Sequence, residues 1–150
     1  MTTSNQTSSP ADNSPRCPIS FAMDMFGDRW SLLIIRDMML LGKRRYSEFV
    51  ASGEGISTNI LADRLKQMQR LELVEKFRDP ANGKASLYLL TDKGLSLFPV
   101  LLEVIRWGLQ NDEHSVVPDP IAAALLDNSH ALATEISQQI TAERLVLQQH

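Results

Sequence analysis

The chain has 150 residues, of which 43% are apolar, and this is enough for one domain with a hydrophobic core. We expect neither a signal peptide nor a membrane span, because no apolar run is long enough for a membrane and none near the start follows basic residues. The single cysteine, Cys17, excludes an intramolecular disulfide and suits a reducing compartment, so we expect a cytoplasmic protein.

The net charge of −3 does not by itself indicate a nucleic-acid partner. Residues 43–84, however, contain nine basic and six acidic side chains, which gives this segment a charge of +3 and leaves −6 for the remainder. A local basic surface is sufficient to attract phosphates, since this attraction acts within about 8–10 Å at physiological salt. The distribution is compatible with DNA binding without being specific for it.

The first predicted elements are a disordered arm and a short helix. Residues 1–15 are rich in Ser, Thr, Asn and Pro, and such a segment cannot bury enough apolar surface to offset its chain entropy. Pro18 suits the first turn of a helix, and Gly27 is expected to end that helix.

A second helix is predicted over residues 29–41, with Asp28 as its cap. Apolar residues cover most of its circumference, so we expect it in the centre of the core or in contact with a partner chain. Gly42 ends it, and the basic residues 43–45 follow in a loop.

Residues 47–71 predict a helix-turn-helix. A short helix fits residues 47–52, with Phe49 and Val50 pointing inward, and a turn with two glycines leads to a second helix over residues 57–71. The second helix has three apolar residues at i, i+4 and i+7, which form one buried stripe: Leu61, Leu65 and Met68. Two short helices joined by a glycine-containing turn are typical of this DNA-binding motif.

A β-hairpin is predicted directly behind the second helix. Residues 73–78 fit one strand, residues 79–83 contain strong turn formers, and residues 85–90 fit the returning strand. A hairpin in this place is the wing of a winged helix.

The rest of the chain is predicted to be helical. Thr91 is expected to cap a helix over residues 91–111 that bends at Pro99. Shorter apolar patterns predict helices over residues 121–126 and 131–147, and the second of these is expected to dock on this chain or on a second one.

Together these elements predict a mainly α-helical fold with a small β-hairpin, a dimeric winged helix-turn-helix. We expect a disordered arm at residues 1–15, a DNA-binding and dimerisation domain at 16–111 and a helical extension at 112–150. Much of the dimer interface is expected on the first helix and on the helices at 29–41 and 91–111.

Four segments resemble the HxlR-type regulators, bacterial relatives of the MarR group. They are CPISFAMDMFGDRW, LLIIRDMMLLGKRRYSEF, GISTNILADRLKQMQRLELV and LYLLTDKGLSLFPVL. The resemblance covers residues 16–111, in the order of the family's elements, and leaves residues 112–150 outside. It implies a dimeric winged-helix repressor or activator, often of a neighbouring gene.

DNA contacts are expected first from the helix at residues 57–71, because a recognition helix enters the major groove with its N-terminal residues closest to the bases. The candidates there are Ser57, Thr58 and Asn59, with Arg64 and Lys66 for phosphate or guanine. Asn59 has the geometry for a bidentate pair with adenine. A plain helix cap is the alternative role of Ser57. The exposed carboxylate of Asp63 is left out, since it repels phosphates.

Two further basic groups complete the predicted DNA site. One is the loop before the helix-turn-helix, which is expected to clamp the DNA backbone through Lys43, Arg44 and Arg45. The other is the wing, which is expected to reach the minor groove or its phosphates through Arg78, Asn82 and Lys84.

Cys17 is a candidate redox residue. In some HxlR-type proteins a cysteine at the matching place senses electrophiles or oxidants. A thiol near a helix N-terminus and beside Arg16 is expected to have a lowered pKa. Sensing would use an intersubunit disulfide, a mixed disulfide or alkylation. The alternative is an unreactive thiol packed in the dimer interface.

Aromatic and methionine side chains suggest an effector pocket at the base of the dimer. The candidates are Phe26, Trp30, Met38, Met39, Phe98 and Trp107. Ordinary core packing is the alternative for the same residues.

The sequence therefore predicts a transcriptional regulator that binds double-stranded DNA as a homodimer, on a pseudo-palindromic operator with half-sites about one helical turn apart. A small molecule or modification of Cys17 is expected to alter its affinity. We expect no enzyme, cofactor or metal, because the chain has no phosphate-binding loop, no metal-ligand spacing and no nucleophile with an evident base. The competing hypothesis is a winged-helix module that binds proteins instead of DNA.

Overall fold

A computed structural model describes residues 14–150, apart from the side chains of Asp119, Pro120 and Ala124. Most of the arm predicted at residues 1–15 lies outside the described residues. Within them, the elements follow in the order α1 (Pro18–Phe26), α2 (Ser31–Leu40), α3 (Tyr46–Val50), α4 (Thr58–Arg70), β1 (Val74–Arg78), β2 (Ser86–Leu90), α5 (Asp92–Leu95), α6 (Phe98–Asn111), α7 (Asp119–Asp127) and α8 (Ser129–Leu147). This order confirms the predicted fold class, a mainly α-helical winged helix-turn-helix with one hairpin.

Helix α2 begins at Ser31, two residues later than predicted, because Asp28 forms a capping turn ahead of it. Its carboxylate accepts the backbone N–H groups of Trp30 at 2.8 Å and of Ser31 at 2.9 Å. These bonds satisfy donors that have no partner inside the helix. Gly42 follows the helix with a φ of +66°, a conformation that glycine adopts without strain.

The helix-turn-helix is formed by α3 and α4. Phe49 is buried and its ring meets that of Tyr88 edge-on at 6.5 Å. Val50, which was expected to point inward, is 37% exposed. The expectation was wrong because a helix of five residues has only one and a half turns and presents one face to the core. The stripe predicted on α4 is confirmed, since Leu61, Leu65 and Met68 are all buried.

The wing consists of β1 and β2, paired antiparallel from Val74 opposite Leu90 to Arg78 opposite Ser86. Each strand begins one residue later than predicted. The turn between them is held by Asp79, whose carboxylate accepts the N–H of Ala81 at 2.9 Å.

The single bent helix predicted over residues 91–111 is in fact two helices. Thr91 caps α5 through its hydroxyl, which accepts the N–H of Gly94 at 3.1 Å. The chain then breaks at residues 96–97 and resumes as α6. Pro99 lies in the first turn of α6, where its missing N–H leaves no hydrogen bond unmade. Pro99 therefore starts a helix here instead of bending one.

The core lies between α2, α4, β2 and α6, and the C-terminal helices cover one side of it. Ile35, Met38 and Leu90 are among its fully buried residues. Helix α8 packs back on β2 and α5 of the same chain, with Ile136 and Ile140 buried. The extension thus docks on its own chain, which was one of the two alternatives that the sequence left open. Among the described residues, no helix is long and apolar enough to cross a membrane.

Candidate nucleic-acid interface

Helix α4 presents its polar face to solvent. Thr58 and Asn59 are exposed at its N-terminus, and Lys66 and Arg70 are exposed further along the same side. Ser57 is the N-cap, since its hydroxyl accepts the N–H of Ile60 at 3.3 Å. The N-terminus is also tied to α3, because the Tyr46 hydroxyl donates to the Thr58 carbonyl at 2.6 Å. The two helices of the motif are therefore held together at the end where base contacts are expected.

Arg64 lies partly buried on the side of α4 and already has acidic partners. Its guanidinium is 2.6 Å from the Asp63 carboxylate and 3.7 Å from that of Asp28. The contact with Asp28 places the Arg64 guanidinium next to the capping turn of α2. Arg64 would have to exchange these partners in order to reach DNA.

The three basic residues of the loop before α3 do not form one exposed cluster. Arg44 is the least accessible of the three, since its side chain is only 11% exposed. Its Nε and Nη2 donate to the Glu143 carboxylate in α8 at 2.8 and 3.2 Å, and its Nη1 donates to the Met38 carbonyl at 2.8 Å. Arg44 is occupied by Glu143 of α8, so it could contact a partner only by giving up this pair.

The other two loop residues are more exposed than Arg44 and are also paired. Arg45 Nε donates to buried Asp79 at the base of the wing at 2.9 Å, and this hydrogen bond raises the pKa of Arg45. The pKa of Asp79 is lowered, first by the N–H of Ala81 and then by Arg45. Lys43 Nζ lies 3.5 Å from the buried Asp37 carboxylate. These contacts fix the loop against the wing and against α2.

The wing tip carries exposed polar residues. Arg78 Nε donates to the Gly83 carbonyl at 3.1 Å, and the Asn82 side chain accepts the N–H of Lys84 at 3.3 Å. Lys66, Arg70 and Lys84 make no ion pair with any residue in 14–150. Their charges are therefore available to a partner without breaking an internal pair.

Cys17 is exposed and is the N-cap of α1. The pKa of its thiol is lowered by the backbone N–H groups of Ser20 and Ile19 and, less strongly, by the Ser20 hydroxyl. Arg16 is not among the causes of this shift, and its guanidinium is paired with Asp24. The predicted direction of the pKa shift is confirmed, with the helix N-terminus as its origin.

Most of the aromatic and methionine residues proposed for an effector pocket pack in the core. Four of them are buried in the core: Phe26, Met38, Met39 and Phe98. Trp30 packs against the same core, whereas Trp107 is 68% exposed on α6. Burial of these side chains favours core packing, the alternative interpretation, for most of the set.

Three acidic residues that no sequence pattern singled out pair with arginines and so reduce the positive charge available for DNA. Glu143 holds Arg44, Asp79 holds Arg45, and Glu54 holds Arg36 at 2.9 Å. Glu143 is 99 residues from its partner, and no local pattern connects the two. Asp79 carried only the signal of a turn residue. Among the described residues, no group of His, Cys, Asp and Glu could hold a metal ion.

A family model described as HxlR-like helix-turn-helix matches residues 25–116, which include α2, α3, α4, the wing and α6. The chain belongs to this family. The match confirms the resemblance found in the sequence, and α7 and α8 lie beyond the matched residues.

Two relatives from Bacillus subtilis are named as HTH-type transcriptional regulators. YvaP is 33% identical over 100 residues, which are 66% of this chain and 92% of YvaP. YodB is 35% identical over 95 residues, which are 63% of this chain and 84% of YodB. Among solved structures, the oxidised form of the redox regulator HypR matches this chain with a TM-score of 0.58 at 27% identity. The match covers 67% of this chain and 100% of HypR. This HxlR-like chain is therefore similar to two proteins named as transcriptional regulators and to one named as a redox regulator.

Proposed function

We propose that this HxlR-like protein is a transcriptional regulator that binds a pseudo-palindromic operator as a homodimer. The observation that carries the proposal is the exposed face of α4, which begins with Thr58 and Asn59 and continues with Lys66 and Arg70. A recognition helix reads bases with its N-terminal residues and holds phosphates with basic residues along its side. The N-terminus of α4 has no acidic residue in its first turn to repel the DNA.

The contacts divide into two kinds. Asn59 is proposed to pair with adenine in the major groove, where an amide side chain both donates and accepts. Lys66, Arg70 and Lys84 are proposed to contact phosphates, because each is exposed and free of internal ion pairs among the described residues. Asn82 is proposed to approach the minor groove from the wing tip.

The remaining candidates are expected to contribute less, because each has a role within the chain. They are Lys43, Arg45, Ser57, Arg64 and Arg78. Thr58 stays among the proposed base contacts, because only its backbone carbonyl is engaged within the chain. Arg44 is not included in the proposed contacts.

The homodimer is supported by apolar side chains left exposed on α1 and α6. These two helices border a groove to which both contribute apolar residues: Ile19, Met23, Val100 and Val104. Trp107 is exposed one turn further along α6. A contiguous apolar surface of this kind is typical of a protein interface. We propose that a second copy docks there by two-fold symmetry and that its α4 reads the second half-site, about 34 Å from the first.

Regulation by thiol chemistry is proposed at Cys17, which lies beside this groove. Its neighbours Pro18 and Ile19 line the groove, so two copies would bring their α1 helices close together. Diamide would accept two electrons and two protons from two Cys17 thiols, which then share one S–S bond. A lowered pKa increases the fraction of thiolate, the form that reacts. The similarity to the redox regulator HypR supports this assignment.

The DNA-binding proposal is tested by fluorescence anisotropy with DNA from upstream of the protein's own gene, at several salt concentrations. Tight binding with a steep salt slope is expected, and Lys66→Ala should reduce the slope by about 0.9, the value for one phosphate contact. Asn59→Ala should cost about 1–3 kcal/mol on the operator and much less on unrelated DNA. Arg106→Ala is the matched control, since it removes a charge from α6 that is paired with Glu103.

The outcome that contradicts DNA binding is the absence of salt-sensitive binding to this or any genomic fragment at low salt. That result would favour the protein-interaction module, for which the carboxylate of Asp63 on the exposed face of α4 is the supporting feature. The thiol proposal is tested with diamide in the same assay. Loss of operator binding in the wild type but not in Cys17→Ser is expected, and an equal response of both proteins would remove Cys17 from the mechanism.

A further inference from the structure

A cavity of about 400 Å³ lies between α2, the turn before α4, α6 and the segment that leads into α7. Most of its lining is apolar, and the residues that form this part are Leu40, Leu41, Ile105, Leu109, Val117 and Ile121. Small-molecule sites in proteins have volumes of about 300–1,000 Å³ and are lined mainly by apolar groups. A cavity of about 150 Å³ holds one benzene ring, so this one has space for two fused rings.

The charged part of the lining is the Arg36–Glu54 pair, which belongs to a larger ion-pair network without net charge. Arg36 donates to Glu54 at 2.9 Å and to Asp37 at 2.7 Å, and Lys43 lies 3.5 Å from Asp37. Two cations therefore balance two carboxylates. A charged ligand would leave an uncompensated charge against apolar walls, which is costly, whereas an uncharged one would not. Glu54 is partly exposed and keeps acceptor capacity for a hydroxyl group.

Two observations indicate that the cavity is built to be filled. A Cβ atom at Gly108, which lines the cavity from α6, would meet no atom within 4 Å. Leu41 and Val116 also line it and remain exposed, Val116 to 86%. Apolar side chains exposed beside an open cavity gain free energy when an apolar ligand covers them.

We propose that this cavity binds an uncharged, mainly apolar small molecule of about two rings, with one hydroxyl group hydrogen-bonded to the Arg36–Glu54 pair. Part of the wall, formed by Val117 and Ile121, lies beyond the residues that match the family model.

The position of the cavity connects such a ligand to α4. Ser52 and Glu54 line it and belong to the turn that leads into α4, in which Gly53 and Gly55 have φ values of +85° and +77°. A ligand bonded to Glu54 therefore contacts the segment that sets the start of the recognition helix. The resulting change of operator affinity is the part of this inference that rests on the proposed function.

The site is tested with 2-naphthol, which is uncharged at neutral pH, by isothermal titration calorimetry on the full chain. We expect saturable binding with one molecule per chain and at least tenfold weaker binding to Gly108→Leu, whose side chain fills the cavity. Gln110→Leu is the matched control, since residue 110 lies on the same helix outside the lining. A thermal midpoint of Gly108→Leu no lower than that of the wild type shows that the variant is folded.

The chemical class is tested with two further measurements. The anion 2-naphthoate should bind at least tenfold more weakly than 2-naphthol. Glu54→Ala should weaken 2-naphthol binding about tenfold, the loss expected for one hydrogen bond to a charged group. Absence of saturable 2-naphthol binding, or equal binding by Gly108→Leu, would overturn the site, and tighter binding of 2-naphthoate would overturn the uncharged class.

The link to DNA is measured separately by operator anisotropy with saturating 2-naphthol. A change in affinity of at least fivefold is expected in the wild type and none in Gly108→Leu. Operator binding that 2-naphthol leaves unchanged would overturn the regulatory part. A protein that binds 2-naphthol but no DNA would keep the site and refute the proposed function.

Discussion

Replacing Arg44 by methionine separates two roles for this residue: attachment of α8 to the winged helix and contact with DNA phosphates. Methionine keeps much of the apolar stem but removes the guanidinium. The substitution breaks a two-bond contact with Glu143, at 2.8 and 3.2 Å, and leaves the Met38 carbonyl without its 2.8 Å donor. The sequence alone favoured the phosphate contact, and the structure favours the attachment.

The magnitude follows from how far the pair is buried. Breaking a fully buried ion pair costs about 3–5 kcal/mol, and an exposed pair contributes about 1 kcal/mol or less. The Arg44 side chain is 11% exposed, but that of Glu143 is 35% exposed and remains partly hydrated after the change. We therefore expect Arg44→Met to lower the free energy of unfolding by about 2–3 kcal/mol.

Urea unfolding followed by circular dichroism measures this loss. A double-mutant cycle with Glu143→Gln should give a coupling energy of about 1 kcal/mol or more, because the two residues are in direct contact. The salt slope of DNA binding should not change. Lys66→Met is the matched control, with an unchanged stability and a lower salt slope. An Arg44→Met variant as stable as the wild type but with a lower salt slope would refute the reasoning.

Three further predictions concern single groups. The alkylation rate of Cys17 by iodoacetamide should have a pH midpoint below that of the urea-unfolded chain, because its pKa is lowered by the start of α1; equal midpoints would contradict this. Burial raises the pKa of Asp28, but the hydrogen bonds that its carboxylate accepts outweigh this effect, so the pKa is lowered on folding. The stabilisation by this carboxylate is therefore fully present above about pH 4, the ordinary value for Asp, and is lost as the pH falls through the lower pKa of the folded state. Urea unfolding should show that Asp28→Ala costs about 1 kcal/mol at pH 7 and less near pH 2, and a cost independent of pH would oppose the assignment. Gly94→Ala should destabilise by about 1–3 kcal/mol, because its Cβ would collide with the Leu73 carbonyl, whereas Gly108→Ala should be neutral or stabilising in the same measurement.

Most of the fold could be predicted from the sequence because its elements depend on short-range patterns. The stripe of Leu61, Leu65 and Met68 predicted α4, and Ser57 marked its start, since both signals act within one or two helical turns. The turn formers between residues 79 and 83 predicted the hairpin in the same way. The exposed face of α4 was predictable for the same reason, because the buried stripe determines which side faces solvent.

Errors arose where contacts distant in the chain decide the outcome. The local sequence pattern does not distinguish the three basic residues 43–45. They differ only in their partners from other elements, since Arg44 pairs with Glu143 and Arg45 with Asp79. A cluster of basic residues in a sequence does not show which acidic residues, here 34 and 99 positions away, will pair with it.

The sequence by itself determined the order of the helices, the wing and the polar face of α4. Only the tertiary structure decided that α8 covers Arg44, that α5 and α6 are separate, and that a cavity opens beside the turn before α4. The physical reason is the distance along the chain over which the interactions act. Caps, turns and amphipathic stripes result from hydrogen bonds and burial within a few residues, whereas ion pairs and cavities depend on how whole elements pack against one another.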